Sequence, residues 1–240
     1  QGRPGAAAEM MEQLLAARPR DTAVFVRLFG FYLAQGRDSA AESLIERGRR
    51  AFEDSIDFDL VAAQAALNFN VPALAEELLL RALQTNPHHL DARRLLALAY
   101  LRMGDGDAAL AALQPLEKTV SGAENRLAWD LAMADVYTER REWEAAARHY
   151  RSALQADPEA IEIHATLVET LFRAGKKEAA AAAANEAVLR FQTGRPLETQ
   201  LLRARLLVLQ KEFARAESLL RSLAAEHAGD TRVFFAQGLL

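Results

Sequence analysis

Apolar residues along the chain recur at helical spacing, in stretches of about four turns separated by short polar turns. Gly36, Gly104 and Gly175 each close one amphipathic stretch and precede another: Ser39 to Phe52, Asp107 to Gln114, and Glu178 to Phe191. The two intervals between these glycines are close to twice thirty-four residues. Lines of thirty-four residues starting at Thr22, Ile56, Leu90, Leu127, Ile161 and Leu197 bring like residues into columns, with small insertions before Leu127 and Leu197. Column 20 reads Ala41, Ala75, Ala109, Ala146, Ala180 and Ala216, and column 8 reads Phe29, Ala63, Ala97, Ala134, Val168, Ala204 and Gly238. Column 11 reads Tyr32, Ala66, Tyr100, Tyr137, Leu171 and Leu207, and column 24 reads Ile45, Leu79, Leu113, Tyr150, Ala184 and Leu220. Pro19, Pro87 and Pro158 fall in column 32. Runs of alternating β-branched residues bounded by turns, the mark of strands, are missing. The pattern predicts an all-α chain.

Each line reads as two antiparallel helices, the first over columns 1 to 14 and the second over roughly columns 18 to 31, each about 20 Å long. Small residues at columns 8 and 20 let the two backbones close up, and a larger one there forces them apart. Glycine at column 15 suits a left-handed helix end, and Asn70 replaces it once. Pro72 stands where the second helix of its line begins, a position that needs no N–H donor. The column-32 prolines stop the second helix before the next line. Pro115 falls inside the second helix of the third line and predicts a kink or early end, followed by a polar loop at Thr119 to Asn125. The run Ala179 to Ala184 reads as close helix packing, with a partner pocket as the alternative.

These columns resemble the tetratricopeptide-repeat family. Its pattern has a large residue at 4, Leu at 7, a small residue at 8, Tyr at 11, Ala at 20, an aromatic at 24, Ala at 27 and Pro at 32. The line Leu127 to Ala160 matches best, with Met133, Ala134, Tyr137, Trp143, Ala146, Tyr150, Ala153 and Pro158. Departures lie at column 4, which is polar in Asp59, Arg93, Asp130, His164 and Gln200, at column 7 of the sixth line (Arg203), and at Phe29. The resemblance implies an α-solenoid of antiparallel helix pairs, the superhelix of that family. One helix pair cannot bury its apolar face alone, so neighbours stack. The expected organisation is one solenoid segment over 1–240: a partial repeat at 5–21, repeats at 22–55, 56–89, 90–126, 127–160, 161–196 and 197–230, and the start of a further repeat at 231–240. The alternative is a two-domain globule. Residues 5 to 21 read as a lone second helix, and Val233, Phe234, Phe235, Leu239 and Leu240 do not make a polar cap, so a longer protein is expected at both ends.

Composition narrows function. Apolar residues make up 51% of the chain, enough for a packed core. A net charge of −4 and a pI near 5.8 argue against a general nucleic-acid binder, which needs surplus Lys and Arg. With no cysteine, a disulfide, a thiolate nucleophile and a Cys-ligated zinc site are excluded. No run approaches the length of a membrane span.

Catalytic constellations are not apparent, and no enzyme activity, cofactor or metal is expected of this segment. His88 and His89 sit in a turn after Pro87 without a third ligand at suitable spacing. His149 and His164 read as surface or helix-packing residues. Asp105-Gly106-Asp107 reads as a turn and helix cap, because the full calcium-loop pattern is missing. Glu139 to Glu144 reads as a solvated helix face.

The resemblance implies that columns 2, 5, 9, 12 and 13 of the first helices line a concave, partner-binding groove. That places there Val26 and Leu33 of the first line, Leu60, Gln64 and Leu67 of the second, and Arg94 and Leu98 of the third. Leu131, Asp135 and Glu139 follow from the fourth, and Glu162, Glu169 and Phe172 from the fifth. The sixth supplies Glu198, Leu201, Arg205, Val208 and Leu209. The groove is expected to be apolar at its first end, through Val26, Gly30 and Leu33, with Asp135, Glu139, Glu162 and Glu169 forming an acidic middle. Mixed lining of this kind suits a helix or extended peptide of a partner protein. Relatives that hold the carboxylate tail of heat-shock chaperones carry Lys at column 5 and Asn at column 9. This chain has neither.

The expected function is therefore a non-catalytic scaffold binding a protein or peptide, with no nucleic-acid partner. Its Ala-, Leu- and Arg-rich composition and repeat style resemble bacterial envelope assemblies for exopolysaccharide export or secretion, and a periplasmic setting is favoured over a cytoplasmic one. The alternatives are a cytoplasmic adaptor or assembly chaperone, and the docking arm of an enzyme whose catalytic domain lies outside this segment. Helical-hairpin repeats that read RNA form a further class, disfavoured by period and charge.

Overall fold

The computed structural model describes residues 4–53, 55–191, 194 and 196–237, and every regular element among them is helical. Two compact units divide after Val120. The first holds α1 (Pro4–Ala17), α2 (Thr22–Ala34), α3 (Asp38–Ala51), α4 (Ile56–Asn68), α5 (Pro72–Thr85), α6 (Leu90–Arg102) and α7 (Gly106–Leu113). The second holds α8 (Ala123–Glu139), α9 (Trp143–Ala156), α10 (Ile161–Arg173), α11 (Lys177–Phe191), α12 (Pro196–Leu209), α13 (Phe213–Glu226) and α14 (Thr231–Gln237). Within each unit, successive helices pack on one another. The first helices of neighbouring pairs also touch: α2 on α4 and α4 on α6 in one unit, α10 on α12 and α12 on α14 in the other. The fold is an all-α helical repeat. Of the expected further repeat at 231–240, residues 238–240, including Gly238, Leu239 and Leu240, lie outside the described residues.

The turn inside each pair follows one rule. Gly36, Asn70, Gly104, Arg141, Gly175 and Lys211 all occupy column 15, and all have φ between +59° and +80°. Three are glycines, for which this conformation carries no Cβ penalty. Arg141 and Lys211 hold it against their side chains, at a cost on the order of 1 kcal/mol each. Side-chain acceptors cap the starts of α2, α4, α6 and α7. Asp21 Oδ1 accepts from Val24 N, Asp105 Oδ1 from Ala108 N and His89 Nδ1 from Ala92 N, while Pro72 opens α5.

Columns 8 and 20 sit where the members of a pair approach, and every described residue in them is 2% exposed or less. Phe29 is one of these, and it stacks on Phe25 at 5.7 Å. Its pair, α2 and α3, is the one whose backbones approach least, as a large column-8 side chain requires. In the same region Phe58 seats its ring over Gly48, where a Cβ would lie 2.1 Å from Phe58 Cζ. Of the alanine run, Ala180 and Ala184 are buried in the core of the second unit. Ala179, Ala182 and Ala183 instead border a cleft of about 400 Å³ with Arg151 and Leu154.

Pro115 ends α7 at Leu113 in a 3₁₀ turn, Gln114–Leu116. Proline supplies no N–H to continue the helical series, and at the helix end so formed the carbonyl of Ala112 accepts from Arg93 Nη1 at 2.7 Å. The loop expected at Thr119 to Asn125 is shorter than that, because α8 starts at Ala123, one turn ahead of Leu127. Gly122 at φ +82° makes the entry, and Glu124 complements the positive helix end. Glu139 to Glu144 is not a helix face. It joins the end of α8 to the start of α9 through the turn at Arg140, Arg141 and Glu142, closed by Arg140 Nε on Glu142 Oε1 at 2.7 Å.

The polar residues of column 4 tie helices together. Asp59, 3% exposed, pairs with Arg49 of α3 at 3.3 Å. Asp130 is wholly buried and receives His149 Nδ1 at 2.8 Å, Ser152 Oγ at 2.6 Å and Arg126 Nε at 2.8 Å. His149 is flanked by the rings of Trp129 and Tyr137. His164 donates Nε2–H to the Pro158 carbonyl at 3.1 Å and meets the Phe191 ring edge-on. Both histidines are thus packing residues between helices.

Candidate partner-binding surface

Of the residues assigned to the groove, all but Gly30 and Leu67 are half-buried or exposed. The others stand on first helices in columns that fall largely between the most buried ones at 3.6 residues per turn. In the first unit, Val26 and Leu33 on α2, Leu60 on α4, and Arg94 and Leu98 on α6 are half-buried, and Gln64 on α4 is exposed. Gln64 donates to Asn68 Oδ1 at 3.1 Å, and Arg94 pairs with Asp91 at 3.1 Å, each along its own helix. Gly30, expected to widen the apolar end, is covered: the Phe69 ring lies where a Cβ on Gly30 would stand, 2.0 Å from its Cζ. Phe69 itself is 43% exposed and supplies the apolar surface that Gly30 does not. Its aromatic character at column 14 was the available signal.

The second unit gathers its residues more tightly. A cleft of about 460 Å³ opens between α10, α12 and α14. Its floor is apolar, with Ala165, Leu201, Val208 and Leu209 beside the buried Ile161, Leu202, Ala204 and Leu220, and Glu162, Glu169, Glu198, Arg205 and Arg232 also line it. Columns 2, 5 and 9 of α10 and columns 2, 5, 9, 12 and 13 of α12 meet in it. Arg232 and Ala236 of α14 complete it, and they were not among the assigned residues. Arg232 stands in column 2 of the next line, so the repeat register was the signal for it.

The expected acidic middle is partly neutralised. Glu169 pairs with Arg173 at 2.7 Å on its own helix and with Arg205 across to α12. Glu198 pairs with Arg232 of α14 at 2.7 Å. Arg232 also binds Asp230, and its hydrogen bonds hold that carboxyl down at about 2. Asp135 accepts from Tyr150 Oη at 3.3 Å, and burial together with that carboxylate pushes the Tyr150 phenol up to about 12. Glu139 and Glu162 remain exposed. Leu131 and Phe172 are half-buried against the core of the unit, leaving one flank of each open.

The family model described as tetratricopeptide repeat matches the chain three times, over residues 1–67, 72–136 and 137–198. Among solved structures, the Pseudomonas aeruginosa PilF protein aligns at a TM-score of 0.59 with 15% identity, over 92% of this chain and 99% of that one. A tetratricopeptide repeat protein from Parabacteroides merdae aligns at 0.58 with 17% identity, over 98% and 91%. A MamA protein aligns at 0.53 with 17% identity, over 71% and 92%. No protein of curated function matches the sequence.

Proposed function

Because the chain belongs to the tetratricopeptide-repeat family, whose fold serves as a protein-interaction scaffold, we propose that it holds a segment of a partner protein in the α10–α12–α14 cleft. The observation that carries this reading is the composition of that cleft. Of its fourteen lining residues nine are apolar, and the five others are the charged Glu162, Glu169, Glu198, Arg205 and Arg232. Apolar surface left open in this way gains on burial, about 1.5–3 kcal/mol for one leucine-sized side chain of a partner. Polar groups at the border fix its orientation. A groove-bound helix or extended segment supplies such side chains at regular spacing. No helix among the described residues is long and apolar enough to cross a membrane.

The test is capture of partners from the native cell by the wild-type chain and by Leu201→Asp, which puts a charge on the floor. Leu189→Asp is the control, since Leu189 is 67% exposed on the second-helix side of α11. Loss of the captured protein with Leu201→Asp, and retention with Leu189→Asp, supports the reading. Equal capture by Leu201→Asp and wild type rejects it.

A further inference from the structure

Resting on that reading, we propose that the segment seated in the α10–α12–α14 cleft is basic and apolar: a bulky apolar side chain on the floor with a lysine or arginine beside it at Glu162. Three carboxylates border the cleft. Glu169 is met by Arg173 and Arg205, and Glu198 is met by Arg232. Glu162 is exposed, and among the described residues no lysine, arginine or histidine forms an ion pair with it. It stands in the first turn of α10, where its charge favours the helix end. It also lies one turn from Ala165 on the floor, so a ligand that fills the floor brings its neighbouring residues to this carboxylate.

The three possible charge types differ in what they disturb. A neutral apolar segment fills the floor and leaves Glu162 to water. An acidic segment places like charge beside Glu162, and reaches Arg205 or Arg232 only by competing with Glu169 and Glu198 for them. A basic segment finds an unmatched carboxylate and disturbs neither of the Arg–Glu pairs that join α10 to α12 and α12 to α14. Charge complementarity of this kind selects among ligands that bury the same apolar area.

Two acetylated and amidated peptides probe this directly: Lys-Leu-Trp-Leu-Lys and Glu-Leu-Trp-Leu-Glu. Each is titrated into the 240-residue chain at low ionic strength, with ¹³C-methyl spectra of leucine and valine as the readout. The lysine peptide is expected to shift the methyl signals of Leu201, Val208 and Leu209, and to bind about fivefold tighter than the glutamate peptide. Glu162→Lys, an exposed substitution, is expected to abolish or invert that preference. Equal affinity of the two peptides, binding of neither, shifts elsewhere, or a preference that survives Glu162→Lys overturns the inference. Leu201→Asp separates it from the reading on which it rests. If the peptides bind equally and Leu201→Asp abolishes both, the cleft holds a ligand and the cation assignment is wrong. If Leu201→Asp leaves both bound, the cleft is not their site.

Discussion

Asp130 Oδ1 and His149 Nδ1 meet at 2.8 Å between α8 and α9, with the carboxylate wholly buried. A column that ordinarily holds a large apolar side chain here holds a charge, and three donors converge on it. Removing the acid leaves His149 and Ser152 without their acceptor and Arg126 without its counter-ion. Asp130→Ala is therefore expected to lose about 3 kcal/mol of stability by urea unfolding. His149→Ala alone should cost less, and the double variant less than the sum, as expected of residues in one network. A strictly additive cycle contradicts the pairing.

Two helical glycines carry opposite expectations. Replacing either by alanine favours the helix by about 1 kcal/mol. At Gly48 the new methyl meets Phe58, which is 1% exposed and fixed among Phe25 and Phe52. Overpacking there outweighs the helical gain, and Gly48→Ala should lower stability by about 1–2 kcal/mol. That result runs against the family preference for alanine at column 27. At Gly30 the methyl meets Phe69, which is 43% exposed and free to swing outward. Gly30→Ala should be neutral or slightly stabilising. Thermal unfolding of the two single variants decides.

Arg141 and Lys211 hold left-handed backbone at φ +59° and +63° without being glycine. Arg141→Gly and Lys211→Gly should each raise stability, by up to about 1 kcal/mol, because relief of the side-chain clash exceeds the added freedom of the unfolded chain. Gly104→Ala, at φ +80°, should lower it by a similar amount. A fall in stability for both glycine variants contradicts the column-15 rule.

Alkaline pH acts through tyrosine. Tyr100 is pushed from 10.0 to about 12, first by burial and then by its bond to Glu76. Between these values the folded chain keeps the phenolic proton and the unfolded chain releases it. The stabilisation from Tyr100 is therefore complete below pH 10 and declines as pH rises towards 12. Tyr100→Phe should unfold with a shallower dependence on pH than wild type over that window, followed by circular dichroism in urea. Parallel slopes for the two proteins contradict it.

The helix pairs were legible because their spacing is written in small residues and turns. α2, α4, α6 and α10 begin at Thr22, Ile56, Leu90 and Ile161, the first residues of their lines. The left-handed turns at Arg141 and Lys211 were not legible from residue type, since neither side chain favours that conformation. Their column alone pointed to it. Arg49 beside Asp59, the Ala112 carbonyl beside Arg93, and His149 and Ser152 beside Asp130 were hidden because each lies on another helix, and a local pattern carries no record of such pairing. Glu169 read as an open charge for the same reason: Arg205, thirty-six residues on, reaches it only once α10 and α12 are side by side.

Site-specific photo-crosslinking in the native cell gives the most direct measurement of partner binding. A benzoylphenylalanine is placed in turn at Val208, on the floor of the α10–α12–α14 cleft, and at Leu189, on the exposed second-helix side of the same unit. A discrete crosslinked protein from position 208 and none from position 189 is the predicted result. The same protein crosslinked from 189 and not from 208 would place the partner on the other face and contradict it.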